Sequence, residues 1–162
     1  MAETLEKGLR TITPHLVVKG GAEAIEFYKK AFGAKEEFRM PWPSPDGVEK
    51  VGHATLTIGD SVVMLADEFP EHGSVAPTAG GASVVIHLQS PDVDATMAQA
   101  AEAGATITMP AADVFWGDRY GKLIDPFGHH WSVATKIEDV PPEELKKRMD
   151  AMFADGSDGC GG

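Results

Sequence analysis

Two histidines, His15 and His87, occupy the same place in an internal repeat of the sequence. They lie 72 residues apart, as do Ile25 and Met97 in the helix-like stretches that follow them. A neutral imidazole can bind a transition metal or act as a general base. Asp67 could complete a two-histidine metal site, although the spacing offers no clear third ligand. The alternative is that both histidines line a pocket or are hydrogen-bonded in the core.

A second candidate is the aromatic segment at residues 113–121, which combines Phe115, Trp116 and Tyr120 with Arg119. This pattern is typical of a ligand-binding wall, because small-molecule pockets are aromatic surfaces with a few placed polar groups. Trp42, in a proline-rich stretch of the first half, is predicted to be a lid over the same cavity. The alternative is that Phe115 and Trp116 pack in the core or at a dimer interface.

The remaining four histidines are weaker candidates for a catalytic or binding role. His129 and His130 follow the Gly128 turn, and strand alternation lets only one of them face a pocket, which favours a surface or structural role. His53 and His72 have no acidic or thiol partner nearby in the sequence. The sequence also lacks a Gly-x-Ser-x-Gly nucleophile elbow and a phosphate-binding loop. No complete catalytic set is therefore visible.

Composition excludes several classes of function. The 162 residues suffice for one domain or two half-size modules, and a hydrophobic content of 43% allows a packed interior. A net charge of −11 argues against nucleic-acid binding, which needs clustered Lys and Arg. No apolar run approaches the ~20 residues of a membrane helix, and the N-terminus has no signal-peptide core. The only cysteine, Cys160, lies in a glycine-rich tail. We therefore predict a cytoplasmic protein without internal disulfides or a membrane partner.

The elements that must position these residues also repeat. Each half reads as a strand, a helix and three further strands, with the helix making the crossover. Residues 41–47 are predicted to form an exposed loop and residues 110–117 to be irregular. One βαβββ module cannot cover its own apolar face. Two modules are therefore expected to form an α+β fold with a curved sheet, a central cavity and helices outside.

The predicted organisation has six parts. They are an N-terminal extension (1–10), a first module (11–67), a linker (68–81), a second module (82–138), a C-terminal helix (139–153) and a flexible tail (154–162).

Three motifs carry a resemblance to a known family: AIEFYKKAFG at residues 24–33, IGDS at 58–61 and DPFGHHWS at 125–132. Together they resemble the glyoxalase/bleomycin-resistance/dioxygenase (vicinal oxygen chelate) superfamily, and more narrowly its PhnB-like subgroup. The likeness covers about residues 11–138 and implies paired βαβββ modules and a homodimer. It does not fix one function, because the family includes metal-dependent isomerases and lyases, ring-cleaving dioxygenases, antibiotic-inactivating enzymes and metal-free drug-binding proteins.

The resemblance also implies where a metal would be held. In metal-dependent members, His and Glu side chains from the first and last strand of each module are the ligands. Carried over by spacing, these positions fall on Thr13, Val63 or Met64, Val85 and Ser132. None offers the nitrogen or carboxylate donors that Zn²⁺, Ni²⁺ or Fe²⁺ require. We therefore predict that the family's metal site is absent, and that His15 and His87 lie one layer further along the same strand face.

The sequence thus predicts a metal-free protein, without a cofactor, that binds a drug or aromatic metabolite between its modules. One alternative is a lyase, isomerase or dioxygenase of the same superfamily, with a displaced metal site or with His15 or His87 as a general base. Another is an interaction module with an unused cavity. The predicted ligand-binding residues are His15, Trp42, Met64, His87, Phe115, Trp116, Arg119, Tyr120 and Ser132.

Overall fold

The computed structural model describes residues 9–155, which contain two modules of the same design. The first module consists of β1 (His15–Val18), α1 (Gly21–Phe32), β2 (Lys35–Trp42), β3 (Lys50–Ile58) and β4 (Ser61–Asp67). The second consists of β5 (Val85–Gln89), α2 (Val93–Ala103), β6 (Thr106–Asp113), β7 (Asp118–Ile124) and β8 (His130–Lys136). A 3₁₀ turn (Pro70–His72) lies between them, and α3 (Pro142–Ala154) follows them. Most of the expected N-terminal extension, and the expected tail from residue 156 with Cys160, lie outside the described residues.

Each module forms its own four-stranded sheet, with the strand orders β1-β4-β3-β2 and β5-β8-β7-β6. The first strand runs parallel to the last, and the other neighbours are antiparallel. A parallel pair needs a long crossover, which the helix of each module provides. The prediction of an α+β fold with two βαβββ repeats is confirmed. Within one chain the expected curved sheet is two separate sheets, and the modules meet mainly where α1 packs on α2.

Helix α1 illustrates how the sequence produces each module. Ala24, Ile25 and Tyr28, spaced at helical intervals, are buried. They pack with Leu16 and other apolar side chains on one face of the sheet. The helix ends at Gly33, whose φ of 65° lies in the left-handed region that favours glycine.

In both modules a side chain from the last strand accepts hydrogen bonds from amides at the start of the helix. In the first, the buried Asp67 carboxylate accepts hydrogen bonds from the amides of Gly20 and Gly21, each at 2.9 Å. In the second, the Thr135 hydroxyl accepts a bond from the Val93 amide at 2.7 Å. Both acceptors lie at or near the end of the last strand, and both bonds satisfy amides that lack a partner within the helix. The end of β4 or β8 therefore sets where the helix of its module begins.

A buried carboxylate joins the two modules. Asp125, in the turn between β7 and β8, accepts hydrogen bonds from the hydroxyl of Tyr28 at 2.6 Å and from the indole nitrogen of Trp131 at 2.9 Å. Its other oxygen accepts bonds from the amides of Phe127 and His129. Burial, and then the Asp125 carboxylate, raise the pKa of Tyr28 well above its ordinary value, so the phenol stays protonated and donates.

Two strands extend further than predicted. Strand β2 continues through Pro41 to Trp42, where a loop was expected, and β6 continues through Pro110 to Asp113. Both are edge strands, where proline leaves no ladder bond broken, and both have register irregularities near the proline. Among residues 9–155, no helix combines the length and apolar character that crossing a bilayer requires.

Replacing Asp125 by Ala should destabilise the fold by about 3 kcal/mol or more, because several buried donors would lose their acceptor. Replacing Tyr28 by Phe removes one of these bonds and should cost about 1–2 kcal/mol. Urea unfolding of the purified proteins measures both values. Asp150→Ala is the matched control, since Asp150 makes only an exposed ion pair with Lys146 and should change stability little. Equal stability of Asp125→Ala and Asp150→Ala would contradict this account.

Candidate functional site

The sheet faces opposite the helices carry most of the predicted site residues. In β1, Leu16 and Val18 are buried in the core, so His15 points to the other face. The same alternation places His87 of β5 on the corresponding face of the second sheet. We call these surfaces the module 1 face and the module 2 face. The module 1 face comprises His15, Phe38, Met40, Trp42, His53 and Met64. The module 2 face comprises His87, Gln89, Trp116, Tyr120, Ser132 and Ala134.

The module 1 face is centred on two imidazoles in contact. The rings of His15 and His53 are 5.5 Å apart between centroids and nearly perpendicular, at 80°. Phe38 lies 6.3 Å from His53, and Met40 is directly opposite His53 on the neighbouring strand. Partial burial, and then the nearby His53, lower the pKa of His15 from its ordinary value, so this imidazole is neutral near pH 7.

Trp42 lies at the end of β2, above Gly52. A Cβ on Gly52 would lie 3.2 Å from the Cβ of Trp42, so the missing side chain gives the indole its place on the sheet. The ring meets Phe69 edge-on at 6.2 Å. Trp42 and Phe38 remain 51% and 53% exposed. Trp42 therefore extends the module 1 face, and its action as a lid over Phe115 and Trp116 stays a prediction.

The module 2 face has a more polar centre. The Nδ1 atom of His87 lies 2.7 Å from the hydroxyl of Ser132, and its Nε2 atom lies 2.9 Å from the amide nitrogen of Gln89. The His87 and Tyr120 rings are nearly parallel, at 17°, with centroids 6.4 Å apart. Trp116 meets Tyr120 edge-on at 5.4 Å. The structure thus brings together four of the predicted residues.

Phe115 and Arg119, also predicted to bind the ligand, make structural contacts outside the centre of the module 2 face. The carbonyl of Phe115 accepts a hydrogen bond from Arg148 of α3, and its ring meets Trp116 edge-on. Arg119 forms ion pairs with Asp94 at the start of α2 and with Asp113. These bonds raise the pKa of its guanidinium above the ordinary value. Arg119 therefore lies on the helix side of β7, away from Tyr120, because adjacent strand residues point to opposite faces.

Comparison with known proteins identifies the family. The model of the Glyoxalase/Bleomycin resistance protein/Dioxygenase superfamily matches residues 9–133. The chain belongs to this superfamily. It is 46% identical over 145 residues to the uncharacterized protein Rv0887c of Mycobacterium tuberculosis, covering 87% of this chain and 83% of that protein.

Solved structures show the same fold. Protein PA1353 from Pseudomonas aeruginosa is 26% identical, with a TM-score of 0.63 over 80% of this chain and 100% of that one. The PhnB protein from Bacillus cereus is 20% identical, with a TM-score of 0.60 over 78% of this chain and 99% of that one. The PhnB-like resemblance is thereby supported at the level of the fold. Helix α3 follows the part that the superfamily model matches.

The metal-dependent members of the superfamily imply a metal site that the residues here do not fit. Met64 and Ser132 occupy equivalent places, next to His15 and His87 in the strand register, and neither is a carboxylate or imidazole. The carboxylate of Asp67, considered as a third ligand, is taken by the amides of Gly20, Gly21 and Val51. Among residues 9–155, no three His, Cys, Asp or Glu side chains are grouped so that they could hold a metal ion.

Sequence reasoning missed some members of both faces. Gln89 follows His87 by two residues and so shares its face, a signal that strand alternation could have given. Phe38 and Met40 alternate on β2 in the same way. His53 has no acidic or thiol partner nearby in the sequence, and its contact with His15 could not be predicted because it spans the intervening strand β4.

A groove of ≈ 790 Å³ runs between the modules, but it lies largely beside these faces. It contains His87 and Gln89 at one border, while Phe32, Ile86 and Trp131 line its apolar part. These apolar side chains belong to the helix side of the sheets. We assign the candidate site to the two faces, and not to this groove, because most of the imidazole and aromatic side chains lie on the faces.

The lowered pKa of His15 predicts a pH dependence of stability. In the unfolded chain His15 has its ordinary pKa of 6.5, so below that pH the unfolded state binds the proton first. Its contribution to stability should be complete above pH 6.5 and decline as the pH falls towards the lower folded pKa. The test is urea unfolding of the protein and of His15→Gln between pH 7.5 and 5. As the pH falls, the unfolding free energy of the parent protein should decrease more than that of His15→Gln. If the difference between the two proteins does not depend on pH, the pKa of His15 is not lowered by folding.

Proposed function

We propose that this is a metal-free, cytoplasmic small-molecule-binding protein, in which the module 1 face of one protomer closes over the module 2 face of its partner in a homodimer. The observation that carries the proposal is that each chain presents two sheet faces rich in aromatic and imidazole side chains. Phe38 and Trp42 are about half exposed, and His87 is exposed as well. Such surfaces suit a drug-sized or aromatic ligand once a second layer covers them.

The chemistry of the faces favours binding over catalysis. The imidazole of His87 contacts a hydroxyl and an amide, and that of His53 contacts the Thr55 hydroxyl at 3.3 Å. A histidine that acts as a general base is usually oriented by a carboxylate, as in catalytic triads. By the spacing of the family motifs, the places of the metal ligands fall on Thr13, Val63 or Met64, Val85 and Ser132, none of which is a carboxylate or an imidazole. These features support a receptor whose specificity comes from shape and a few hydrogen bonds.

The edges of the two sheets favour a homodimer. Strands β1 and β5 each have one edge without a neighbouring strand among the residues that the structure describes. Val85 on β5 is 48% exposed, although edge strands usually carry charge or cover to prevent pairing. A second copy that places its β1 edge beside β5 would cover this valine and bring the two kinds of face together.

Val85→Asp should convert the dimer to monomer, because a charge would be buried at the junction of the two sheets. Sedimentation equilibrium of the untagged protein should give twice the chain mass for the parent and the chain mass for the variant. Val48→Asp is the matched control, since Val48 lies in the loop before β3 and is 62% exposed, and it should remain dimeric. A monomeric parent protein would overturn the dimer.

Protein purified without chelators or a histidine tag should contain Zn, Ni, Fe and Mn far below one equivalent per chain, by elemental analysis. Re-addition of each metal should leave the melting temperature unchanged. Aromatic drugs and metabolites should raise it, because a ligand that binds only the folded state stabilises it. Stoichiometric metal would instead favour the lyase, isomerase or dioxygenase alternative. Failure of all compounds to shift the melting temperature would contradict the binding function.

A further inference from the structure

We propose that the module 2 face binds an organic oxyanion, a carboxylate or a phosphonate, whose charged group is held by the ammonium of Lys122 and the hydroxyl of Tyr120. This inference rests on the proposed small-molecule binding and names the charge of the ligand and the residues that select it. It is supported by the position of Lys122 on the sheet, by the hydroxyl of Tyr120, by the distribution of charge on this face and by the contrast with the first module.

Lys122 lies in the middle of the module 2 face. Its neighbours on β7 point to the helix side, since Leu123 is 1% exposed and a Cβ on Gly121 would collide with Met97 of α2. Adjacent strand residues point to opposite faces, so the Lys122 side chain extends away from the helices. It therefore shares a face with Tyr120, two residues earlier on the strand.

A row of side chains crosses the face at this position. It runs from His87 on β5 through Ser132 on β8 to Lys122 on β7. Ser132 is only 4% exposed and is bonded to His87, so this part of the row is already packed. Lys122 is partly exposed. The ligand site therefore lies over the packed row, where the lysine can reach it.

Tyr120 adds a hydroxyl next to the ammonium. Residues two apart on a strand are ~7 Å apart, which allows both groups to reach one anion. Within residues 9–155 the Tyr120 side chain makes only ring contacts, with His87 and Trp116, so its hydroxyl can donate to a ligand. The same ring contacts hold Tyr120 in place beforehand, which lowers the entropic cost of binding.

The centre of this face differs in charge from the protein as a whole. The chain carries a net charge of −11. On this side of β7 the one carboxylate is that of Asp118, four residues from Lys122 and therefore ~13 Å along the strand. Asp118 accepts a hydrogen bond from the indole of Trp116 at 2.8 Å and lies 3.9 Å from the ammonium of Lys136. A ligand anion is therefore favoured at the centre of the face and disfavoured over most of the acidic surface.

The first module lacks this arrangement. The corresponding row runs from His15 through Met64 to Thr55, so a threonine stands at the place of Lys122. None of the side chains that define the module 1 face is a carboxylate. In the proposed homodimer that face covers the module 2 face of the partner and excludes water, which strengthens the attraction between an ammonium and a bound anion. Anion binding therefore belongs to the second module.

The test uses three probes that share a cyclohexyl ring: cyclohexanecarboxylate, cyclohexylphosphonate and the neutral cyclohexanecarboxamide. Titration of the isotope-labelled full-length protein, followed by NMR, gives the dissociation constant of each probe. At least one anion should bind about tenfold or more tightly than the carboxamide, because hydrogen bonds to an ionised partner are the stronger class. The tighter anion identifies which of the two groups is recognised. Added salt should weaken the binding of the anions only.

Variants locate the binding. Lys122→Gln removes the charge and should bring the affinity for the anions within about threefold of that for the carboxamide. Lys122→Arg keeps the charge and should retain the preference. Tyr120→Phe keeps the ring and should weaken the anions about threefold or more. Lys30→Gln is the matched control, since it changes the net charge equally on the exposed surface of α1 and should have no effect. Melting curves establish that each variant is folded.

The outcomes separate the anion site from the proposed function. Loss of the anion preference in Lys122→Gln but not in Lys30→Gln supports the site. A parent protein that binds the anions no better than the carboxamide overturns it, as does a preference that survives Lys122→Gln or is lost equally in Lys30→Gln. In those cases the binding function stands if the carboxamide binds or other neutral compounds raise the melting temperature. Failure of every compound to bind overturns both.

Discussion

The buried carboxylate of Asp125 is the constraint on which the rest of the structure depends. A buried carboxylate is tolerated only when its lone pairs are filled. Here the donors come from its own turn, from Trp131 in the next strand, and from Tyr28 in the helix of the other module. The bond to Tyr28 can form only when α1 lies against the second module. The hydrogen bonds of this one carboxylate therefore hold the two modules in a fixed arrangement. In that arrangement α1 and α2 pack on each other, and the sheet faces opposite the helices lie on the outside.

Within each half, a second constraint connects the last strand to the helix. Asp67 and Thr135 hold the first amides of α1 and α2, and each lies three residues after the site position on its strand, Met64 or Ser132. Because side chains alternate along a strand, fixing the helix start also fixes which residues of β4 and β8 face away from the core. The positions of the site residues thus follow from how the helix amides are satisfied.

The repeat of 72 residues allowed the two modules, and the order of helices and strands along the chain, to be predicted from sequence, because apolar periodicity and turn residues are local signals. The extension of β2 through Pro41 was missed, since proline is compatible with a strand only at an edge, and edge position is a property of the whole sheet. The pairing of His87 with Ser132 depends on a parallel register across 45 residues, which no local pattern encodes. Arg119 could have been placed correctly, because it is adjacent to Tyr120 and must point the other way.

The two faces show how a duplicated module can diverge without altering its core. The backbone register and the first-strand histidine are common to both halves. The ring that faces this histidine differs, His53 or Tyr120, and so does its register partner, Met64 or Ser132. In the first module the rings of His15 and His53 are nearly perpendicular beside Met64, whereas in the second module the rings of His87 and Tyr120 are nearly parallel beside Ser132. These substitutions lie on the face opposite the helices, so they do not disturb the apolar packing that stabilises the fold. Replacing metal ligands on the same strands would change a similarly small set of side chains, so the core and the backbone register do not by themselves decide whether a metal is bound.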